Sequence, residues 1–397
     1  MRLPSVFRGL PRTYWVLWIG TLVDRLGGFA FAFLTLYLTS ERNLRVDEAS
    51  AILSLGGLGG LVGSLAGGVL ADHLGRKRTL VVSMAIGALV MIALAFVREP
   101  WIIAGLWLLY GLGGSAARPA SSALVADIVP TADRLRAFAL LHWAVNIGFA
   151  IAPAIGGFLA RRTYTGLFLA DGATTLLTVA LIAIKVPGDQ APAPTEPAWR
   201  GMTRVFRDPA YVGFLAFMVV VASIYSQAES SMPVDMVAKG MTTQTYGLVI
   251  AVNGLLITFF SPVVAGALGR AEPPRILAAA ALCTAVGFGL NALVATGPLY
   301  AVAVAVWTFG EIAMNPASGA LVAALAPPDQ RGRYSGAYAM SWNLARFAGP
   351  PAGGLIIAHF GAPSLWLACL IVGVAAAAGI LCLSPALTRR LARQRSG

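Results

Sequence analysis

The sequence predicts an all-α integral membrane protein with twelve transmembrane helices, arranged as two related bundles of six. Three observations predict this fold: 58% of the 397 residues are apolar, long apolar segments recur along the whole chain, and a stretch of the first half reappears in the second. Only 12% of the residues are charged, against roughly 25% in a soluble domain. This composition excludes a soluble enzyme, and the high apolar content excludes a disordered chain.

The apolar segments can be counted directly, because short polar breaks separate them. A membrane-spanning helix needs about 20 apolar residues, and twelve segments are long enough. They cover 14–38, 49–71, 79–97, 101–127, 137–160, 165–184, 210–234, 245–268, 275–296, 299–325, 334–358 and 364–384. Twelve spans leave no room for a large soluble domain.

The longest polar stretch, residues 186–208, follows the sixth span and contains four prolines. Such a composition is typical of an extended linker. We therefore expect an N-terminal six-helix bundle over 1–185, a cytoplasmic linker over 186–208, and a C-terminal six-helix bundle over 209–397 that ends in a short basic tail.

The two bundles are related in sequence. Residues 119–157, shifted by 197 positions, match 316–354 without a gap, and fourteen of the 39 positions are identical. Matched spans run in the same direction, so the sequence predicts a parallel repeat about an axis along the membrane normal.

The distribution of Lys and Arg predicts the orientation. With both chain ends in the cytoplasm, twenty of the 29 basic residues fall in cytoplasmic segments, six in outer loops and three within spans. Basic residues accumulate in cytoplasmic loops, so we expect a multi-pass protein of the cell membrane with both termini in the cytoplasm. This bias also explains the net charge of +12 without a nucleic-acid partner.

The loop after the second span, residues 68–78, reads Gly-Val-Leu-Ala-Asp-His-Leu-Gly-Arg-Lys-Arg. It resembles the loop signature of the major facilitator superfamily, Gly-x-Leu-x-Asp-x-x-Gly-Arg-Lys/Arg. The alternative interpretation is a plain basic loop on the cytoplasmic side. The matched positions are Gly68, Asp72, Gly75, Arg76 and Lys77. In that family the loop latches the outward-open state, so the resemblance implies a cytoplasmic gating role. The corresponding residues 266–270 lack the acid, which predicts an asymmetric latch.

The fifth span carries a second resemblance. Gly148, Pro153, Gly156 and Gly157 are similar to the family's antiporter pattern Gly-x-x-x-Gly-Pro-x-x-Gly-Gly, with Ala152 in place of one Gly. The repeat copy keeps Pro350, Gly353 and Gly354. Small residues beside a proline let helices pack closely and bend, so generic helix packing is the alternative interpretation.

Ionisable residues within spans are costly and therefore indicate function. The candidates are Asp24, Arg25, Arg118, Asp171, Glu229, Glu311 and Arg346. Five of the seven lie on the first, fourth, seventh and tenth spans, which in the family line the central cavity. For Asp171 we expect a structural role, and we expect Arg25 to point to a different helix face from Asp24.

Two matching stripes stand out on the fourth and tenth spans. Trp307, Glu311 and Asn315 recur every four residues, and their counterparts are Tyr110, Gly114 and Arg118. We expect Glu311, Asp24 and Glu229 to carry protons, with Arg118 setting the proton affinity of Glu311. The residues that we expect to line the cavity are Arg118, Trp307, Tyr110, Asn315, Arg346 and Gln227.

Other interpretations of these charges stay open. Glu311 could form a structural ion pair with Arg118 or Arg346, and Asp24 could serve helix packing. Drug-antiporter relatives usually carry an arginine in the fourth span where this chain has Trp107, so that relay role does not transfer.

The resemblance most closely implies a drug/proton antiporter that exports small amphipathic or lipophilic organic compounds by alternating access. A symporter or facilitator for a metabolite or nutrient is the alternative, and a sensor or scaffold also remains. An enzyme is not expected, because the three histidines are scattered and neither a zinc-protease motif nor a nucleotide-binding loop is present. The expected partners are substrate, protons and the lipid bilayer. We expect a monomer, no metal and no cofactor, with a proton gradient as the energy source.

Overall fold

The computed structural model is all-helical over the residues that it describes, 9–188, 205–268, 272–327 and 330–395, without the side chains of 65, 68, 69, 71, 72, 132, 135, 262, 265, 267, 268 and 391–395. Its twelve long helices are α1 (Arg12–Glu41), α2 (Val46–Leu74), α3 (Arg76–Leu94), α4 (Pro100–Ile128), α5 (Arg134–Arg162), α6 (Tyr164–Lys185), α7 (Pro209–Ala238), α8 (Thr243–Leu268), α9 (Pro273–Leu290), α10 (Gly297–Leu325), α11 (Arg331–Phe360) and α12 (Ala362–Arg395). Each overlaps one predicted span, which confirms the fold class.

Ten of these helices are long and apolar enough to cross a membrane by length and composition. The other two are α2 and α11, which have 29 and 30 residues and so exceed the length that a bilayer needs. Several helices continue past the predicted spans. The last helix runs to Arg395 rather than 384, because hydropathy marks the lipid-facing part of a helix and not its end.

The first helix of each bundle is broken, which the sequence analysis did not predict. In α1 the segment Arg12–Gly27 is followed by Ala30–Leu36 and a π-helical turn, Tyr37–Glu41. In α7 the segment Pro209–Ser230 is followed by Met232–Ala238. Glycine favours a break because it loses the most conformational freedom in a helix, and Pro233 lacks the backbone hydrogen that a continuous helix needs.

Helix pairing repeats between the two halves. In the first, α1 packs on α5 and α6, α4 on α2 and α3, and α3 on α6; in the second, α7 packs on α11 and α12, α10 on α8 and α9, and α9 on α12. The halves meet through α2 against α11 and α5 against α8. Most of residues 186–208 lies outside the described residues, so the predicted domain boundaries stay a prediction.

The glycine pairs of α5 and α11 make these contacts possible. A Cβ on Gly156 would meet Phe33 of α1, whereas one on Gly157 would meet the backbone of Thr243 at the start of α8. Likewise a Cβ on Gly353 would collide with Gln227 of α7, and one on Gly354 with Ser50 of α2. The first glycine of each pair therefore packs within its own bundle, and the second packs against the other bundle.

The hydrophobic core is continuous at one end of the molecule and divided at the other. We call the end that carries the start of α1 and the end of α12 the terminal face, and the other end the opposite face. Near the opposite face one buried cluster draws residues from both bundles, among them Phe33, Leu53, Tyr246 and Trp307. Near the terminal face each bundle has its own cluster. The bundles are thus packed together at the opposite face and separated at the terminal face.

Candidate functional site

Both bundles contribute charged side chains within their helices, all of them half-buried or exposed except Asp171, which is buried. Asp24 and Arg25 come from α1, Arg118 from α4, Asp171 from α6, Glu229 from α7, Glu311 from α10 and Arg346 from α11. Several of them lie within electrostatic range of one another: Arg118 of Arg25 and Arg346, and Glu229 of Arg346 and Glu311. Charges inside membrane proteins face the interior or a water-filled cavity. The cleft between the two bundles is therefore the candidate functional site.

One wall of the cleft is a stripe of α4 that becomes more exposed toward the terminal face. Trp107 is fully buried and donates its Nε1 hydrogen to the Leu53 carbonyl of α2 at 3.1 Å. Tyr110 is half-buried, a Cβ on Gly114 would have no atom within 4 Å, and Arg118 is exposed. The predicted positions Tyr110 and Arg118 thus lie at the cleft surface, while Trp107 packs α4 onto α2.

The matching stripe of α10 shows the same gradient. Trp307 is 3% exposed, and its ring stacks on Phe288 with centroids 5.3 Å apart. Glu311 is half-buried, Asn315 is exposed, and a Cβ on Gly319 would have no atom within 4 Å. In this conformation Trp307 is therefore buried among helices rather than placed at the cavity surface that we expected, because an aromatic cluster encloses its ring.

Glu311 is bound by an amide rather than by an arginine. The Asn253 side chain of α8 donates to Glu311 Oε2 at 2.8 Å and to Thr308 Oγ1 at 3.0 Å. Among the described residues neither Glu311 nor Arg118 forms an ion pair, and the charges within electrostatic range of Arg118 are those of Arg25 and Arg346. The expected influence of Arg118 on Glu311 has no support in this geometry, because Glu311 points toward α8.

Asp24 is held by groups on two helices. Thr175 of α6 donates to Asp24 Oδ1 at 3.1 Å, and Arg25 Nε lies 3.7 Å from Asp24 Oδ2. We expected Arg25 on a different helix face from Asp24, yet the two side chains approach within ion-pair distance just before the break. Asp171 accepts from the Ala30 backbone N–H at 2.9 Å, which satisfies a donor freed by that break. Its role here is structural.

Arg346 reaches from α11 across the cleft to the first bundle. Its guanidinium carbon lies 5.2 Å from the ring centroid of Phe31, which is a cation–π geometry. The Phe31 ring stacks on Trp107 at 5.7 Å, and Trp107 stacks on Tyr110 at 4.8 Å. Arg346 thus sits at one end of an aromatic column that forms part of the first bundle's cleft wall.

Gln227 lies between two helices of the second bundle. Its Nε2 donates to the Gly349 carbonyl of α11 at 2.8 Å, and its Oε1 accepts from Ser231 at 2.7 Å. The side chain is buried, so in this conformation it joins α7 to α11 rather than lining the open cleft. Glu229 is half-buried, and its backbone carbonyl accepts from Thr35 of the first bundle at 3.4 Å.

The basic loop lies at the terminal face. Gly75 joins α2 to α3 with φ of 91°, a backbone conformation that favours glycine. Arg76 forms an ion pair with Asp127 at the end of α4, and Lys77 Nζ donates to the Ala183 carbonyl of α6 at 2.8 Å. These contacts stay within the first bundle. Gly68 and Asp72 lie on α2, but the Asp72 side chain is outside the described part of the structure. Residues 269–271, at the corresponding loop of the second half, are also outside it.

Several polar residues that the structure uses were not predicted from the sequence. Asp235 is buried near the opposite face, where it binds Lys239 Nζ at 3.0 Å, Tyr300 OH at 2.5 Å and Trp366 Nε1 at 2.8 Å. Asp127 and the Glu311 partner Asn253 were also missed. Asp235 lies one residue beyond its predicted span, and Asp127 is the last residue of another. Hydropathy therefore placed both acids at the polar ends of spans, where a charged residue does not stand out. A lone amide in the apolar eighth span was the available signal for Asn253.

Within the described part of the chain, no group of three His, Cys, Asp or Glu side chains is placed to hold a metal ion. The site therefore consists of carboxylates, guanidinium groups, amides and aromatic rings. Such groups can bind an organic molecule and exchange protons.

Comparison with known families gives a match to the Major Facilitator Superfamily over residues 17–350 and 230–396. Among curated proteins, the chain is 25% identical to the uncharacterized MFS-type transporter YhjO of Bacillus subtilis, over 87% of this chain and 86% of that protein. It is 24% identical to a Na(+), Li(+), K(+)/H(+) antiporter of Planococcus maritimus, over 81% and 83%. It is 26% identical to the multidrug resistance protein MdtH of Escherichia coli, over 78% of each chain.

Solved structures share the fold. A POT family transporter in complex with a thioalcohol-conjugated peptide superposes with a TM-score of 0.82 at 18% identity, over 96% of this chain and 98% of that one. The nucleoside transporter NupG gives a TM-score of 0.77 at 15% identity, over 94% and 99%. At these identities the likeness concerns the fold alone.

Proposed function

Because the chain belongs to the Major Facilitator Superfamily, and is thus a multi-pass secondary transporter and not an enzyme, we propose that it is a proton-coupled antiporter. It exports small amphipathic or lipophilic organic compounds by alternating access. One observation carries this proposal: the hydrophobic core is shared by both bundles near the opposite face and divided near the terminal face. A cleft that is closed at one end and contains charges is the conformation that alternating access requires.

The orientation is part of the proposal. The excess of Lys and Arg at the terminal face supports a cytoplasmic location for that face and for both termini. The structure then corresponds to an inward-open state, in which Arg76 pairs with Asp127 in its own bundle. In that state a monomer offers the cleft to cytoplasmic compounds, and closure at the terminal face precedes release outside.

The proposed proton carriers are Glu311, Asp24 and Glu229. The proton affinity of a carboxylate depends on its burial, its hydrogen bonds and nearby charges. Glu311 accepts from the neutral Asn253 amide, and Glu229 shares the cleft with Arg346. Movement of one bundle against the other changes these surroundings, so each carboxylate can bind a proton on one side of the membrane and release it on the other.

The walls of the cleft support an amphipathic substrate. Phe31 and Tyr110 of the first bundle are half-buried, as are Tyr225 and Trp342 of the second, whose rings stack at 6.2 Å. Aromatic faces bind the apolar part of a ligand without requiring a particular arrangement of polar groups. The similarity to a protein named for multidrug resistance and to one named as a cation/proton antiporter is in keeping with this substrate class and this coupling.

Proton flux in liposomes tests the proposal. Purified protein is reconstituted with an internal pH dye, a pH gradient is imposed, and lipophilic cations, neutral amphiphiles and organic anions are added in turn. We expect at least one compound to trigger proton movement, and Glu311→Gln to reduce that movement by about tenfold or more, because the amide cannot carry a proton. The matched control is Glu272→Gln, a carboxylate that is 58% exposed in a loop.

Three outcomes would contradict the proposal. Wild-type proton coupling in Glu311→Gln would remove Glu311 from the mechanism. Substrate movement that ignores the pH gradient would instead indicate a facilitator, and proton and substrate movement in the same direction would indicate a symporter.

A further inference from the structure

Three arginines lie in the cleft, and within the described residues only one of them pairs with a carboxylate. Arg25, Arg118 and Arg346 come from three helices, and their positive charges act on one another. Among the described residues, one ion pair involves them, that of Arg25 with Asp24 at 3.7 Å. Within the described chain, the guanidinium groups of Arg118 and Arg346 form neither a hydrogen bond nor an ion pair. A guanidinium group without a counter-ion in a membrane is costly, so the cleft has positive charge available for a ligand.

Arg118 is the charged group nearest the open end of the cleft. At 1.5 Å per helical residue it lies about 15 Å from the terminal-face end of α4. By the same measure Asp24 lies at about 18 Å, Glu311 at about 21 Å and Glu229 at about 30 Å. A ligand that enters from the terminal face therefore meets an exposed guanidinium group first. The open space beside Gly114, one turn away, leaves room for the ligand.

The carboxylates of the cleft do not neutralise Arg118. Asp24 is engaged with Arg25 and Thr175, and Asp171 accepts from the backbone of Ala30. Glu311 points to Asn253 on α8. Glu229 lies deepest, within electrostatic range of both Arg346 and Glu311. Among the described residues none of these acids forms an ion pair with Arg118.

An apolar wall lies beside the guanidinium groups. Phe31 and Tyr110 are half-buried at the cleft, and the buried Trp107 stacks between them, with ring centroids at 5.7 and 4.8 Å. Arg346 caps the Phe31 end of this column at 5.2 Å. A ligand with an aromatic or aliphatic body could rest on the wall while its head group reaches Arg118.

We propose that the cleft binds amphipathic organic anions, with Arg118 binding a carboxylate, sulfonate or phosphate head group and Phe31 and Tyr110 contacting the apolar body. The inference rests on the proposed function and narrows its substrate class. Guanidinium groups bind such anions through two parallel hydrogen bonds. A cationic ligand would instead add to the repulsion among the three arginines.

Binding of three matched probes tests the proposal. The probes share a naphthalene body: 1-naphthalenesulfonate, 1-naphthalenesulfonamide and (1-naphthylmethyl)trimethylammonium. Their affinities for purified full-length protein in lipid nanodiscs are measured by equilibrium dialysis. We expect the sulfonate to bind about tenfold more tightly than either other probe, which is the scale of one good charge-assisted contact.

Variants assign the effect to Arg118. Arg118→Gln is expected to weaken sulfonate binding by about tenfold and to leave sulfonamide binding within about twofold, which also shows that the variant is folded. Arg118→Lys keeps the charge and should retain most of the sulfonate affinity. Arg98→Gln, on an exposed arginine at the opposite face, is the matched control and should change nothing.

Three results would overturn the inference: equal binding of all three probes, preference for the ammonium probe, or unchanged sulfonate affinity in Arg118→Gln. If Arg118→Gln does not fold, the probe preference of the wild type and of Arg118→Lys decides. The proposed function fails separately. Sulfonate transport that ignores a pH gradient would refute proton coupling and keep the anion site, whereas proton movement driven by the ammonium probe would do the reverse.

Discussion

Asp171 shows how a buried carboxylate can serve the backbone rather than transport. Its Oδ2 accepts from the Ala30 N–H at the point where α1 is broken, and α6 gains a second link to α1 through Thr178, which donates to the Gly20 carbonyl at 3.0 Å. An unsatisfied backbone donor in a membrane costs several kcal/mol. The carboxylate thus stabilises the broken form of α1 that carries Asp24 and Arg25 into the cleft.

This role predicts that two substitutions of Asp171 differ in how much they destabilise the protein. Asp171→Ala leaves the Ala30 N–H without an acceptor and should lower the free energy of unfolding by about 1–3 kcal/mol. Asp171→Asn keeps an acceptor oxygen of similar position and should lose much less. Thermal unfolding of the purified variants in detergent measures both. Equal losses in the two variants would show that the negative charge matters rather than the hydrogen bond.

The sequence pattern revealed most of the charged residues within the helices but not the groups that they contact. Glu311, Arg118 and Asp24 stood out because an ionisable residue in an apolar span is rare. The group that each one contacts depends on helix rotation and packing. Spacing along one helix therefore could not predict the contact of Asn253 with Glu311 or the approach of Arg25 to Asp24. Gln227 and Trp307 are buried for the same reason.

At the scale of the helices, the second glycine of each Gly-Gly pair allows the bundles to meet at the opposite face. A Cβ on Gly354 would lie 2.6 Å from Ser50 Oγ and 3.0 Å from the Val46 carbonyl of α2. Gly353 beside it packs on Gln227 and Ser231 of its own bundle. The repeat in sequence predicted the matching glycines, and small residues are known to allow close helix approach. Only the structure assigns one glycine to each partner.

A comparison of the two neighbours tests this division. Gly354→Val should separate α2 from α11 and so populate a state that is open at the opposite face, whereas Gly353→Ala should disturb only the second bundle. Spin labels at Arg98→Cys and Ala295→Cys, exposed positions on that face in a background without the native cysteines, report the separation by pulsed electron resonance. We expect a longer distance for Gly354→Val alone. A longer distance in both variants, or in neither, would refute the assignment.

For the whole molecule, composition and repeats were sufficient to predict the twelve-helix, two-bundle architecture. They could not predict which end of the cleft is open, because one sequence encodes both states of an alternating-access transporter and a small free-energy difference selects between them. The breaks in α1 and α7 were also hidden, since Gly27, Gly28 and Pro233 lie within continuous apolar stretches that hydropathy assigns to unbroken helices.

In the proposed mechanism the bundles rock about the cleft, and proton binding shifts the balance between the two states. Two label pairs test this mechanism in a background that lacks the native cysteines but is otherwise wild type: Arg98→Cys with Ala295→Cys at the opposite face, and Thr131→Cys with Arg331→Cys at the terminal face, all exposed. Both distances are measured in nanodiscs between about pH 5 and pH 9, a range that spans the protonation of carboxylates in apolar surroundings. We expect reciprocal changes, with one distance lengthening as the other shortens. Two distances that stay constant, or that lengthen together, would contradict it.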